Sequence, residues 1–236
     1  MRQSKTSERH ENLVTVLNPN SNISEVYRMI RTNLDFMSLD EPIKSMVITS
    51  TMPGEGKTVT GANLAIVNAQ AGRKTIIVDA DLRKPMMHRV FQTSNLKGLT
   101  TTLLKQHTLE ETIYHTKVEN LDVLTSGPIP PNPAEVVGSK AMKDLIAHLT
   151  ESYDLVIVDT PPVMSVVDAR VLGQSVDGLL FVVSANQVSR AALKKAKEQL
   201  DLVGIRVIGA VLNKKKVSKR EGYYYYNYHY GYGESK

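Results

Sequence analysis

Cysteine and tryptophan are both absent from this 236-residue chain, and phenylalanine occurs only three times. Without cysteine there is no disulfide framework, no thiolate nucleophile and no Cys-ligated zinc. Long apolar runs are missing too. None approaches the roughly 18–20 residues that a membrane-spanning helix needs, and Met1–Asn12 is too polar for a secretory signal. A cytoplasmic location is therefore expected. Neither sign of charge is scarce: 29 Lys and Arg stand against 24 Asp and Glu, a formal net charge of +5. That excess permits an anionic membrane or nucleic acid as partner, but a phosphate-binding site accounts for part of it equally well. With 42% hydrophobic residues, the chain is long enough for one α/β domain with a proper core.

Tyrosine is plentiful but lopsided. Tyr27, Tyr114 and Tyr153 lie in the body of the chain, while Tyr223, Tyr224, Tyr225, Tyr226, Tyr228, Tyr230 and Tyr232 crowd the last fourteen residues, interleaved with glycine. This segment has neither helical nor strand alternation and is expected to be a disordered tail. The expected organisation is an N-terminal segment over 1–20, one domain over 21–212, and a basic linker with the tail over 213–236.

The body alternates strands and helices. Short Val- and Ile-rich runs at Ser45–Thr49, Thr75–Asp79, Leu121–Thr125, Leu155–Asp159, Leu179–Ser184 and Arg206–Leu212 read as strands buried on both faces of a parallel sheet. Helices are predicted at Gly56–Ala71, Pro133–Thr150 and Ser189–Val203, with capping boxes at Asn132–Glu135 and Thr108–Glu111. Asn22 followed by Glu25 predicts a further helix to about Met37. The fold class is α/β: a doubly wound, mostly parallel sheet flanked by helices, in a single domain whose ligands bind at the carboxyl ends of the strands.

Chemistry gathers at those ends. Thr51-Met52-Pro53-Gly54-Glu55-Gly56-Lys57-Thr58 joins the first strand to a helix and matches the P-loop pattern except that Thr51 replaces its first glycine. Pro53, Gly54, Glu55, Gly56, Lys57 and Thr58 are the expected phosphate cradle, with Lys57 at the β/γ-phosphates and the Thr58 hydroxyl on Mg²⁺. The fold class is thus a P-loop NTPase. Asp79 and Asp81 end one apolar strand, pointing the same way, and Asp159 ends another, as in a Walker B strand. Arg83 and Lys84 either neutralise transferred phosphate or are solvated loop charges. Asn213 either contacts adenine or simply makes a turn. Guanine recognition is disfavoured, since Lys216 stands where an Asn-Lys-x-Asp motif needs its Asp.

Together these motifs resemble those of the bacterial P-loop tyrosine kinases (BY-kinases), in their separate cytoplasmic-subunit form. Ser50–Thr58 is similar to the family's Walker A, Val78–Pro85 to its second Walker motif, Val158–Pro162 to its Walker B and Ser126–Glu135 to its Pro-rich connector; the tyrosine cluster is the most diagnostic feature. Glu25-x-x-Arg28-x-x-Arg31 resembles the family's oligomerisation motif; read alone, it is an exposed face with one Glu–Arg pair. The resemblance implies ATP and Mg²⁺ as cofactors and transfer of phosphate to the seven tail tyrosines in trans and to other proteins. It further implies a homo-oligomer, a ring, and a transmembrane activator that brings the kinase to the inner face of the membrane. The pathway implied is capsular or exopolysaccharide synthesis and export, with no specific nucleic acid as partner. In the implied site Lys57 neutralises phosphate and Thr58, Asp81 and Asp159 hold the metal. Asp79 orients or deprotonates the acceptor, its division of labour with Asp81 remaining open. The sheet is shared with partition and cell-division ATPases, which carry a second P-loop lysine at the position of Met52. A positioning ATPase and a nucleotide-binding scaffold of an export complex are the rival readings.

Overall fold

The computed structural model describes residues 13–37, 42–185 and 187–216. Within them seven strands form one sheet: β1 (Ser45–Ser50), β2 (Thr75–Asp79), β3 (Ile113–His115), β4 (Leu121–Leu124), β5 (Leu155–Asp159), β6 (Gly178–Ser184) and β7 (Val207–Asn213). Their order is β3-β4-β2-β5-β1-β6-β7. All neighbours are parallel except β3, which runs antiparallel to β4. Among the described residues ten helices accompany the sheet: α1 (Val14–Leu17), α2 (Asn22–Met37), α3 (Lys57–Gln70), α4 (Met87–Val90), α5 (Leu99–Leu103), α6 (Leu109–Thr112), α7 (Pro133–Val137), α8 (Lys140–Ser152), α9 (Asp168–Gly173) and α10 (Arg190–Asp201).

The inner strands bury both faces, and their side chains alternate between two cores, whereas the edge strands β3 and β7 are only half-buried, against the expectation of a fully buried strand at Arg206–Leu212. Val47, Ile76, Val78, Val156, Val158, Leu179 and Phe181 share one cluster with Leu145 and Leu149 of α8 and Ala196 and Leu200 of α10. Their neighbours Met46, Ile48, Ile77, Leu155, Ile157, Leu180 and Val182 share the other with α3, whose Ala62, Leu64, Ala65 and Ile66 are fully buried. Tyr27, Ile30 and Leu34 of α2, spaced three and four apart, pack against this second cluster.

Several local expectations are corrected. The helix predicted over Pro133–Thr150 is two helices, because Ser139 caps a new one by accepting the N–H of Met142 at 3.1 Å. Asn132 does not cap α7; its amide donates instead to the Glu135 carboxylate at 3.2 Å. The cap of α2 is Ser21, one residue earlier than expected, whose hydroxyl accepts the N–H of Ser24 at 3.1 Å. The box at Thr108–Glu111 forms as predicted. The packed body also reaches into the segment set apart as 1–20: Thr15 is buried, and the Asn63 side chain of α3 accepts from its N–H and its hydroxyl. The seven tail tyrosines lie outside the described residues. Among the described residues, no helix is long and apolar enough to cross a membrane.

Candidate active site

β2, β5 and β1 are adjacent, so the acidic ends of β2 and β5 open beside the loop that follows β1. Gly54 (φ +83°) and Gly56 (φ +95°) carry that loop through left-handed backbone into α3, a region side chains strain to occupy. A Cβ on Gly56 would also collide with the Asn213 amide. Asn213 donates to the Glu55 carbonyl at 2.8 Å and accepts the N–H of Lys214 at 2.8 Å, so both polar ends of its side chain are engaged within the chain. The Glu55 carboxylate is fully buried and turned onto backbone N–H groups of the loop and of β6.

Lys57 reaches into the acidic cluster. Its ammonium lies 3.1 Å from Asp81 Oδ2, 3.3 Å from both oxygens of Asp159 and 3.2 Å from Thr58 Oγ1. The Thr58 hydroxyl donates to Asp159 Oδ2 at 2.7 Å. Burial works against the charge on Lys57, but Asp159 and then Asp81 outweigh it and lift its pKa above the ordinary value. Burial also lifts Asp159, with Lys57 opposing.

Asp79 faces Asp159 directly across the β2–β5 ladder. Burial, then repulsion by Asp159, pushes its carboxyl up to about 7. Its oxygens accept three backbone N–H groups, from Asp81 at 3.3 Å, Met86 at 3.0 Å and Met87 at 2.9 Å, which ties the loop after β2 to α4. Asp81 accepts the N–H of Lys84 at 3.0 Å through its other oxygen. Arg83 turns away from the cluster. Its guanidinium forks onto the fully buried Asp168 at the start of α9, at 3.2 and 3.3 Å. Asp168 follows no motif; its place in the first turn of α9 suits the helix dipole but does not announce an arginine partner.

The donor set suits Mg²⁺: a hydroxyl and carboxylates, all hard oxygen ligands. Lys57 already seats one cation among those oxygens. Among the described residues no three acidic or His side chains form a metal cage by themselves. Phosphoryl-transfer sites need none, because Mg²⁺ is shared between one or two carboxylates and the substrate phosphates.

On α2, Glu25 and Arg28 pair at 2.7 Å, Arg28 also donates to the Pro19 carbonyl at 2.6 Å, and Arg31 donates to the Val67 carbonyl of α3 at 3.1 Å. These three residues lie apart from the P-loop cluster in sequence and have contacts of their own.

A family model described as an AAA domain matches residues 43–207. The chain is 46% identical to the tyrosine-protein kinase YwqD of Bacillus subtilis over 95% of each chain. It is 42% identical to the putative tyrosine-protein kinase CapB of Staphylococcus aureus, over 88% of this chain and 91% of that one. The crystal structure of the chimerical protein CapA2B2 superposes with a TM-score of 0.85 at 43% identity, covering 88% of this chain and 91% of that one. With its P-loop, its acidic strand ends and these relatives, the chain belongs to the bacterial P-loop tyrosine-protein kinases.

Proposed function

We propose that this kinase transfers the γ-phosphoryl group of ATP to tyrosine hydroxyls, first those of the C-terminal cluster of a neighbouring copy and then those of other proteins, in the control of capsular or exopolysaccharide synthesis and export. The carrying observation is the convergence of Lys57, Thr58, Asp81 and Asp159 beside the phosphate loop, in a chain whose relatives are tyrosine kinases and whose sequence ends in seven clustered tyrosines. In the reaction the phenolic oxygen bonds to the γ-phosphorus. The bond from that phosphorus to the β,γ-bridging oxygen breaks, ADP leaves with the electron pair, and the phenolic proton passes to a carboxylate.

The loop amides and Lys57 bind the β- and γ-phosphates. Thr58, Asp81 and Asp159 would hold Mg²⁺, directly or through water, and the ion would supply neutralisation of phosphate charge. Asp79 orients or deprotonates the acceptor. Three N–H groups hold its oxygens in place, two on Oδ2 and one on Oδ1, which leaves Oδ1 one acceptor site for the phenol. Glu25, Arg28 and Arg31, with the exposed Ile23 and Val26 alongside, form the contact between copies that closes a ring. A transmembrane activator recruits the kinase to the inner face of the membrane.

The test is incubation of the purified chain with Mg-ATP, followed by mass spectrometry of its C-terminal peptide. Phosphotyrosine there supports the kinase reading. ATP hydrolysis with an unmodified tail points to a positioning ATPase, and neither product to a scaffold.

A further inference from the structure

The phosphate loop is braced from behind. Four successive carbonyls each accept a side-chain hydrogen bond: Met52 from Ser50 Oγ at 2.9 Å, Pro53 from Gln187 Nε2 at 3.2 Å, Gly54 from Lys214 Nζ at 2.6 Å and Glu55 from Asn213 Nδ2 at 2.8 Å. The Glu55 carboxylate completes the brace. It is 0% exposed. One of its oxygens accepts the N–H of Met52 at 2.5 Å, the other the N–H of Ser184 at the end of β6 at 2.7 Å. We infer that Glu55 is a positioning residue for the nucleotide: its carboxylate, with the four side-chain straps, fixes the loop so that its amides face the phosphates before any ligand arrives.

The peptide plane supplies the reason. In a trans peptide the carbonyl of one residue and the N–H of the next point in opposite directions. Tying the carbonyls of Pro53, Gly54 and Glu55 to the flank therefore aims the N–H groups of Gly54, Glu55 and Gly56 the other way. The N–H groups of Gly54 and Gly56 find no acceptor among the described residues. Donors aimed in advance bind more tightly because their ordering cost is met during folding. Glu55 suits its place because an ionised carboxylate accepts at both oxygens, as two facing N–H donors require. Glutamine has the same shape but would present its NH₂ to one of those donors.

This inference rests on the phosphate-loop reading, and the experiment separates the two. Mg-ADP affinity is measured by calorimetry for wild type, Glu55→Gln and Gln187→Ala, with KM for ATP and kcat from tail phosphorylation alongside. Wild type is expected to bind. Glu55→Gln is expected to weaken binding about tenfold, with KM rising by more than kcat falls, and Gln187→Ala about threefold. Packing by Glu55 alone would leave the isosteric Gln variant unaffected, so a folded Glu55→Gln within twofold of wild type overturns the inference. Should that variant fail to fold, Gln187→Ala decides, because an exposed glutamine can be truncated without loss of the core. Unchanged affinity there overturns the inference and a threefold loss sustains it. A wild type that does not bind Mg-ADP overturns the phosphate-loop reading itself.

Discussion

Lys57 carries the positive charge around which Thr58, Asp81 and Asp159 gather, so one substitution tests both its weight in that cluster and its proposed hold on phosphate. Lys57→Met is expected to lower tail phosphorylation on the order of 10²-fold or more, the scale of losing one preorganised charge on transferring phosphate. It also leaves two buried carboxylates without their cation, a cost of about 3 kcal/mol, or roughly 6–12 °C in Tm for a chain of this size. Calorimetry and phosphotyrosine analysis of the same preparation check both. Near-wild-type phosphorylation would remove Lys57 from the reaction, and an unchanged Tm would show that the ion cluster has little weight. At this scale much was legible. Lys57, Asp79, Asp81 and Asp159 announce themselves because each ends a local string, an apolar strand or a strand–turn–helix. The straps were not legible: Gln187 and Lys214 reach the loop across 134 and 160 residues of sequence, and nothing in their own surroundings marks them. Neither reading of Arg83, phosphate or solvent, included Asp168, because that partner lies 85 residues away and follows no motif.

Among the elements, α8 shows what local chemistry decides. Its separation from α7 hangs on Ser139, and Ser139→Ala is expected to cost about 1 kcal/mol, read as a shift in the denaturant midpoint at constant slope. The same helix ends on Tyr153, whose hydroxyl donates to Asp122 of β4 at 2.7 Å while Asp122 also meets His115 of β3 at 2.7 Å. Burial first, and then Asp122, raises the Tyr153 pKa above its ordinary value. The native chain therefore keeps a proton that the unfolded chain loses above about pH 10, and stability falls as pH rises past that point. Tyr153→Phe loses the hydrogen bond, about 1 kcal/mol, but also loses this slope. Its deficit against wild type should be full at pH 8 and shrink between pH 10 and 11.5. Unfolding curves whose separation is the same at both ends of that range would contradict the assignment. Five of the six parallel strands were legible because burial on both faces leaves nearly unbroken apolar runs; β7 kept such a run although it is a half-exposed edge strand. The three residues of β3 were not legible, since so short an edge strand has no period to read. The break at Gly138–Ser139 was missed because apolar spacing continues across it while the cap acts through backbone geometry.

For the whole molecule, the decisive question is how the tail meets a catalytic centre. β7 ends at Asn213, and Lys214 is hydrogen-bonded to Gly54, so the tail is rooted beside the chain's own phosphate loop. Tyr223 lies nine residues on and Tyr232 eighteen, which allows at most about 30 and 60 Å of fully extended chain. Length alone therefore permits both an own-site and a neighbour's-site reaction, and assembly has to decide between them. If the Glu25 face meets a different patch on the next copy, head-to-tail contacts close into a ring and deliver each tail to its neighbour. Mixing full-length Lys57→Met with a wild-type kinase cut after residue 216 tests this, because only transfer between copies can then label a tail. Glu25 is the cleaner residue for testing the proposed ring, being 60% exposed on its side chain, whereas Arg31 also ties α2 to α3. Glu25→Lys should be monomeric by light scattering and poorly self-phosphorylated. Modification should in turn open the ring. Each phosphotyrosine adds about −1.5 to −2 charges, so seven would take the formal +5 to roughly −5 to −9. Tails of like charge crowded at neighbouring sites repel, and salt blunts the effect because exposed charges are screened within about 8–10 Å. In Mg-ATP the wild-type assembly should lose mass as its tails are filled, while a chain with all seven tail tyrosines changed to Phe keeps its mass. A fully phosphorylated assembly of unchanged mass at low salt would mean that tail charge does not control assembly.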